Sequence, residues 1–238
     1  QVITASPIAV AQKMNIPYDI VMHDAWWMSP EQFLVTKEGR IINPKDPLGH
    51  FDIEPREDEI LCFLERRHTL FSLLSSARRR IAVSESFASL CRDAGIKDVS
   101  VKENKFTSMK SEVTLSKSYE KPYKVCHIGG MSLHKGYQLL RNAVYSLPIN
   151  VPMSFTIIDH RLSSINQNYS ATWNGYKVQF IAPIPMNDMP DFYRSQDVLV
   201  APSIWPESFG LVTREALSAG LWVIASDAGA LAEPLKFD

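Results

Sequence analysis

The feature of this sequence that most restricts its fold is a repeated alternation of short apolar strand patterns with helical patterns. Residues 197–201 (DVLVA) form an apolar run typical of a buried parallel strand, and a loop with turn residues then leads into helical spacing over 208–219. Strand, loop and helix is the order in which α/β proteins build ligand sites. The alternation predicts an α/β fold with doubly wound parallel sheets.

The alternation falls into two units. We expect a first unit over 1–104, a linker at 105–121 and a second unit over 122–238. The linker is predicted because residues 106–121 are polar, rich in Ser, Thr and Lys, and lack an apolar period. We expect both units to be incomplete, since the chain opens on Gln1 without the first strands of such a unit. The predicted elements are strands at 19–23, 80–83, 99–101, 123–128, 154–158, 176–181, 197–201 and 221–226, and helices at 57–77, 86–94, 189–195 and 208–219, with a further helical run after 134.

Two carboxylates bracket the start of the last predicted helix. Glu207 lies in the loop before this helix, and Glu215 lies two turns along it. The turn 208–210 would direct backbone N–H groups and the positive end of the helix dipole beyond the strand, which favours a phosphate. The structural alternative is that Glu207 is a favourable charge at a helix start and Glu215 a solvated surface residue. The apolar loop ahead, with Trp205 and Phe209 beside two prolines, is more typical of a pocket wall. We expect this helix to turn Leu211, Ala216 and Leu217 inward.

A second segment has the same character. The strand predicted at 123–128 ends in Gly129–Gly130, and Lys135 stands at the start of the following helical run. Glycines after a strand let a diphosphate approach the backbone, and the lysine adds a point charge. The alternative is a glycine turn with an exposed lysine, which is a common arrangement.

A histidine follows the first predicted strand. His23 comes at the carboxyl end of the apolar run 19–22 and precedes Asp24 and two tryptophans. A histidine at this end of a parallel strand is well placed for a ligand crevice and can donate or accept a hydrogen bond near neutral pH. A packed core histidine is the alternative.

The run PESFGLVTREALSAG at 206–220 resembles the motif of retaining nucleotide-sugar glycosyltransferases of family 4. The two glutamates in it are separated by seven residues, and a strand pattern follows. The resemblance implies a GT-B fold with two Rossmann-like domains, of which this chain would hold the later part of the first, acceptor-side domain and most of the second, nucleotide-sugar-binding domain. It also implies retention of the anomeric configuration, with departure and attack on the same face of the sugar.

The resemblance assigns roles to residues of this chain. It implies that Glu207 contacts the transferred sugar near the reacting centre, that His23 faces the donor sugar, and that Glu215 binds the ribose hydroxyls. Base recognition in such folds uses backbone groups of a loop like 182–185, which gives Pro183 and Ile184 as a candidate base-binding loop. The remaining donor-binding residues implied by the resemblance are Gly129, Gly130, Lys135, Ser208, Phe209, Gly210 and Leu211.

The chain departs from the family pattern at two positions. Gly130 stands where the family usually has an arginine, so one of two cations that neutralise phosphate is missing. Asp159–His160 follows a predicted strand where many relatives have a glycine-rich turn. We expect Arg161 or a residue outside this chain to replace the missing cation.

The predicted function is transfer of a sugar from a UDP- or GDP-type donor to an acceptor hydroxyl in polysaccharide, lipopolysaccharide or other glycoconjugate synthesis. No cofactor or metal is expected, and the expected partners are the nucleotide-sugar donor and a sugar or lipid-linked sugar acceptor. Two alternatives stay open: a GT-B epimerase or phosphorylase, and a weakly active or inactive nucleotide-sugar-binding fragment. A nicotinamide-dependent enzyme is disfavoured, because no Gly-x-Gly-x-x-Gly follows a strand.

Composition and charge are consistent with a function located in local sites. The formal net charge of −1 gives no global attraction to nucleic acid, and the sequence leads us to expect no metal site, no signal peptide and no membrane-spanning segment. Three cysteines in apolar surroundings predict reduced core thiols and a cytoplasmic protein, with peripheral contact at the cytoplasmic face of the inner membrane as a further implication of the resemblance. The basic amphipathic stretch at 66–80 could bind anionic lipid, although its leucines favour a helix packed on a sheet. The cysteines are Cys62, Cys91 and Cys126.

Overall fold

A computed structural model describes residues 4–46, 48–51, 54–106, 121–164 and 168–236. The chain divides into two compact units: the first comprises 1–104 together with 205–209, and the second comprises 105–204 and 210–238. Residues 107–120 of the predicted linker lie outside the described residues.

The described helices are α1 (Ser6–Lys13), α2 (Glu57–Ser76), α3 (Glu85–Asp93), α4 (Tyr137–Ser146), α5 (Met189–Arg194) and α6 (Leu211–Ser218). The described strands are β1 (Asp19–Met22), β2 (Arg79–Ala82), β3 (Val99–Val101), β4 (Tyr123–Ile128), β5 (Met153–Ile158), β6 (Tyr169–Trp173), β7 (Tyr176–Ile181), β8 (Val198–Ala201) and β9 (Trp222–Ala225).

The first unit is built on a parallel sheet with the strand order β1-β2-β3. Asp19 of β1 is in register with Arg79 of β2, and Ile81 of β2 with Ser100 of β3. Helix α3 begins after a serine cap, in which the Ser84 hydroxyl accepts a 3.0 Å hydrogen bond from the backbone N–H of Phe87. The buried core includes Ile20, Met22, Leu70, Leu73, Leu74, Val83, Phe87, Cys91 and Phe209.

The arginines of the basic stretch make bonds within the first unit. Arg66 Nη2 donates to the Trp26 carbonyl at 2.6 Å, and Arg67 Nη2 donates to the Ala94 carbonyl at 2.7 Å. Arg78 forms a two-point ion pair with Asp19 at 2.9 Å. Because Leu70 and other leucines of α2 are also buried, packing on the sheet accounts for this stretch.

The second unit is built on a sheet with the order β6-β7-β5-β4-β8-β9. Strands β4, β5, β7, β8 and β9 pair in parallel, which confirms the predicted α/β architecture. Strand β6 runs antiparallel to β7 at the edge and was not predicted. The turn between them is Asn174–Gly175, and both residues have positive φ, which is the turn chemistry of a tight hairpin.

Two expectations about burial are wrong. Leu211 was expected to face inward, but it is 42% exposed, because helix α6 begins at Leu211 instead of 208; Ala216 is buried as expected, together with Thr213. Cys62 is exposed on α2 and is therefore not a core thiol, unlike Cys91 and Cys126. Among the described residues, the structure has no helix that is both long and apolar enough to cross a membrane.

Candidate functional site

The carboxyl edge of the second sheet gathers the predicted phosphate segment and several neighbouring turns. Because β4, β5, β7 and β8 are parallel, the segments that follow them emerge at the same edge. These segments are Gly129–Gly130 after β4, Asp159–Arg161 after β5, the loop 182–185 after β7, and the stretch that starts at Pro202 after β8. The edge therefore has the architecture of a ligand site in an open α/β sheet.

The Lys135–Gly136 pair is fixed by close packing. The side-chain stem of Lys135 lies against Gly129, since an ideal Cβ on Gly129 would be 2.9 Å from Cβ of Lys135. Gly136 caps α4 with φ of +74°, and a Cβ there would lie 1.8 Å from the carbonyl oxygen of Pro202. Glycine is thus required at 136, and it places the positive end of the α4 dipole next to the lysine. This arrangement suits an anion.

An acidic residue fills the space beside Gly130. Gly130 has φ of +61°, and a Cβ there would lie 2.7 Å from Oδ1 of Asp159. Desolvation raises the pKa of this buried carboxyl, but hydrogen bonds from Arg161 outweigh it and hold the pKa below the ordinary value. An arginine at 130, as the family resemblance would supply, would collide with this carboxylate.

A buried histidine that the sequence analysis missed lies under the same turn. His127 is on β4, and its Nδ1 is 3.0 Å from the carbonyl oxygen of Val200. A Cβ on Gly129 would lie 3.2 Å from Nε2 of this ring. Burial is the main cause of a lowered pKa at His127, which favours the neutral imidazole. Its position on an apolar strand gave the sequence no signal of a polar role.

Glu215 is held by a tyrosine. The hydroxyl of Tyr193 on α5 donates to Oε2 of Glu215 at 3.0 Å, and Tyr193 is completely buried. Burial raises the pKa of Glu215, and the bond from Tyr193 partly opposes the rise. The same burial, with the nearby carboxylate, raises the pKa of Tyr193, so the hydroxyl keeps its proton and donates. Glu215 is therefore half-buried and oriented, unlike a solvated surface residue, and a carboxylate so placed can accept hydrogen bonds from a pair of hydroxyls.

The loop after β7 presents few donors. Pro183 and Pro185 lack an N–H, and the N–H of Ala182 donates to Oδ1 of Asn168 at 2.9 Å. Ile184 therefore supplies the amide donor of this loop. Its role at a base stays a prediction.

The remaining predicted residues divide between the units. Glu207, Ser208 and Phe209 belong to the first unit, whereas Gly210 and Leu211 belong to the second. Glu207 is buried, and Phe209 is part of the first core. His23 also lies in the first unit, exposed after β1. The aromatic residues of the predicted pocket wall pack inside the first unit, where Trp205 contacts Phe33 edge-on at 5.3 Å between ring centroids.

The residues that the structure describes contain no cluster of three or more His, Cys, Asp or Glu arranged for a metal ion. The roles of the predicted site residues rest on the motif and on the geometry given above.

Comparison with known proteins identifies relatives of this chain. The sequence model of the family described as glycosyl transferases group 1 matches residues 111–236. The sulfoquinovosyl transferase SQD2 of Arabidopsis thaliana is 27% identical over 139 residues, which cover 56% of this chain and 25% of that protein. A D-inositol 3-phosphate glycosyltransferase of Corynebacterium kroppenstedtii is 44% identical over 61 residues, covering 26% of this chain and 13% of that protein.

Solved structures share the fold. HepE of Anabaena, crystallised in complex with UDP and glucose, superposes with a TM-score of 0.64 at 18% identity, over 97% of this chain and 58% of that chain. The lipopolysaccharide-biosynthesis glycosyltransferase WaaG superposes with a TM-score of 0.61 at 14% identity, over 96% of this chain and 64% of that chain. The chain thus spans less than two thirds of these proteins, and the likeness shows the GT-B architecture.

Proposed function

This chain belongs to the glycosyl transferases group 1 family, and on that premise we propose that it transfers a sugar from a nucleoside diphosphate to an acceptor hydroxyl. The observation that carries the proposal is the carboxyl edge of the second sheet. There, the Gly129 turn with Lys135 and a helix start can hold two phosphates, and α6 carries the oriented carboxylate of Glu215. A nucleoside diphosphate carries both matching groups, phosphates and a ribose diol.

Donor binding follows from these contacts. The diphosphate would lie over Gly129–Gly130, where the backbone and Lys135 neutralise its charge. Glu215 would accept hydrogen bonds from the ribose hydroxyls with the oxygen that Tyr193 leaves available. Ile184 would offer its amide to the base.

The transfer step needs stabilisation of a departing diphosphate and of a positive sugar carbon. The bond between the anomeric carbon and the diphosphate oxygen breaks, and the acceptor oxygen bonds to that carbon from the same face while its proton passes to the diphosphate. The positive N-terminal ends of helices and the charge of Lys135 would stabilise the negative diphosphate as it leaves, and Glu207 would stabilise the oxocarbenium-like sugar. His23 would contact the donor sugar. This course retains the anomeric configuration.

The names of relatives guide the choice of substrates. HepE was crystallised with UDP-glucose, so UDP-sugars are the first donors to test. Relatives named for lipopolysaccharide core and sulfoquinovosyl transfer favour an acceptor that is a sugar or a lipid-linked sugar, in glycoconjugate synthesis. Cytoplasmic location and peripheral membrane contact remain part of the proposal.

The decisive experiment separates binding from chemistry. The chain is first screened by thermal shift against UDP- and GDP-sugars, where a ligand at about 100 times its dissociation constant adds roughly 2.7 kcal/mol. Turnover is then followed with sugar acceptors, and the product anomer is determined by NMR. We expect a retained anomer, and an inverted product or an epimerised donor would contradict the proposal.

Glu207→Gln tests the assigned chemistry. Because Glu207 is proposed to act on the sugar, the variant should bind the free nucleoside diphosphate normally and lose about 10²-fold or more in turnover. Calorimetry and initial rates measure the two quantities. Equal losses in both would indicate a structural role for this buried carboxylate.

A further inference from the structure

The turn at Gly130 is shaped around a buried carboxylate. Asp159 follows β5, which pairs with β4 in parallel, so its side chain meets the turn that follows the neighbouring strand. The side chain of Asp159 is 2% exposed. An ideal Cβ on Gly130 would lie 2.7 Å from its Oδ1 and 3.3 Å from its Cα. A side chain at 130 would therefore have to displace the carboxylate, and only glycine leaves it room.

The same carboxylate holds an arginine. Arg161 donates from Nε to Oδ1 at 3.2 Å and from Nη2 to Oδ2 at 3.0 Å, and its backbone N–H donates to Oδ1 at 3.2 Å. Two parallel contacts fix the plane of the guanidinium. The two partners differ in exposure: the side chain of Arg161 is 60% exposed, whereas that of Asp159 is buried. A ligand can therefore reach the guanidinium, which Asp159 holds near the Gly130 turn.

We propose that Arg161, positioned by Asp159, supplies the second positive charge for a nucleoside diphosphate at the Gly129–Gly130 turn. Lys135 provides one charge at this turn, and the exposed guanidinium provides a second cation from the neighbouring strand end. The inference rests on the proposed function, since it adds a binding residue to the same site. Asp159 is a positioning residue, and its charge serves to orient the guanidinium.

The test compares nucleotide affinities of the whole chain. Calorimetry measures binding of UDP and UMP, and of GDP and GMP, to the wild type, Arg161→Gln, Arg161→Lys and Asp159→Asn. The matched control is Arg194→Gln, because Arg194 is also an exposed arginine paired with an aspartate, Asp191, but it precedes β8 at the opposite edge of the sheet. Circular dichroism verifies that each variant is folded.

The expected result is selective. Arg161→Gln should weaken diphosphate binding about tenfold and monophosphate binding much less, because the diphosphate carries one more charged phosphate for the second cation to neutralise. Arg161→Lys should recover part of the loss, and Asp159→Asn should weaken diphosphate selectivity in a folded protein. The role of Arg161 would be overturned, and the proposed function left standing, by either of two results. The first is equal diphosphate affinity in the wild type and Arg161→Gln, and the second is an equal loss of affinity in Arg194→Gln. Failure of the wild type to bind any nucleotide would overturn the proposed function as well.

Discussion

At the scale of single residues, the site depends on polar groups that are taken partly out of water and oriented there. Glu215 is the clearest case, because burial disfavours its charge and a buried tyrosine then fixes one of its oxygens. A carboxylate in that state is costly for folding but strong as an acceptor. The cost and the strength lead to separate predictions.

Tyr193→Phe should weaken nucleoside diphosphate binding by about 3- to 10-fold, since Glu215 loses the bond that orients it and part of that bond's contribution of about 1.5–3 kcal/mol is lost from ligand binding. Calorimetry with UDP and GDP measures the effect. Tyr145→Phe, at an exposed tyrosine of α4, is the matched control. Unchanged affinity in Tyr193→Phe would remove the tyrosine from the site.

Glu215→Gln should bind nucleotide poorly and yet be as stable as the wild type or more stable at pH 7. A raised carboxyl pKa means that ionisation opposes folding: the penalty is absent well below the ordinary value of 4.5 and develops as the pH rises through that value to the raised one. The amide oxygen can still accept from Tyr193. We expect a melting temperature about 1–3 °C higher than the wild type at pH 7, with a smaller difference at pH 4. The prediction would be contradicted if the melting temperature of the variant, relative to that of the wild type, were lower at pH 7 than at pH 4.

At the scale of elements, the apolar periods sufficed to predict most strands and helices, whereas boundaries and edges needed the three-dimensional structure. β3, β4 and β7 have the predicted limits, and β1 ends one residue before its predicted end. β6 was missed although its sequence, YSATW, alternates apolar with polar residues and Trp173 packs in the second core; the strand forms a hairpin with β7. α6 begins three residues later than predicted, after Gly210, which caps it in the left-handed conformation with φ of +70°. The motif located Glu215, but Tyr193 lies 22 residues away and only the fold brings the two together.

The start of α4 gives a prediction at this scale. Gly136→Ala should destabilise the second unit by more than about 2 kcal/mol, because the new methyl group overlaps the Pro202 carbonyl at a position that also requires positive φ. Gly220→Ala is the control, since Gly220 has φ of +81° and its Cβ would meet nothing within 4 Å. Urea unfolding measures both, and the difference between them isolates the close approach. Equal losses would mean that only backbone strain matters.

At the scale of the whole molecule, the chain does not divide at a single point. It leaves the first unit after Asn104 and returns to it for Trp205–Phe209 before completing the second unit. The site motif therefore contains both a core residue of the first unit, Phe209, and the cap of α6 in the second, Gly210. The aromatic residues of this segment are buried in the first core, and a short loop with buried aromatic residues has the same apolar sequence as a pocket wall.

Phe209→Ala should destabilise the first unit by about 3–5 kcal/mol, because a side chain only 3% exposed leaves a cavity in that core. Hydrogen exchange followed by mass spectrometry should show faster exchange in β1 and α3 and little change in β5 and β7. Phe155→Ala, in the second core, should give the opposite pattern. Faster exchange confined to the second unit in Phe209→Ala would contradict the assignment.

The return of the chain to its first unit also sets the order of events during synthesis on the ribosome. Residues 1–104 emerge first, but the first core lacks Phe209 until 105 more residues have been translated, the difference between positions 104 and 209. At about 5–20 residues per second, that interval lasts roughly 5–20 s, during which the apolar surface meant for Phe209 stays uncovered. Nascent chains of this protein should therefore bind holdase chaperones while the second unit is still being made.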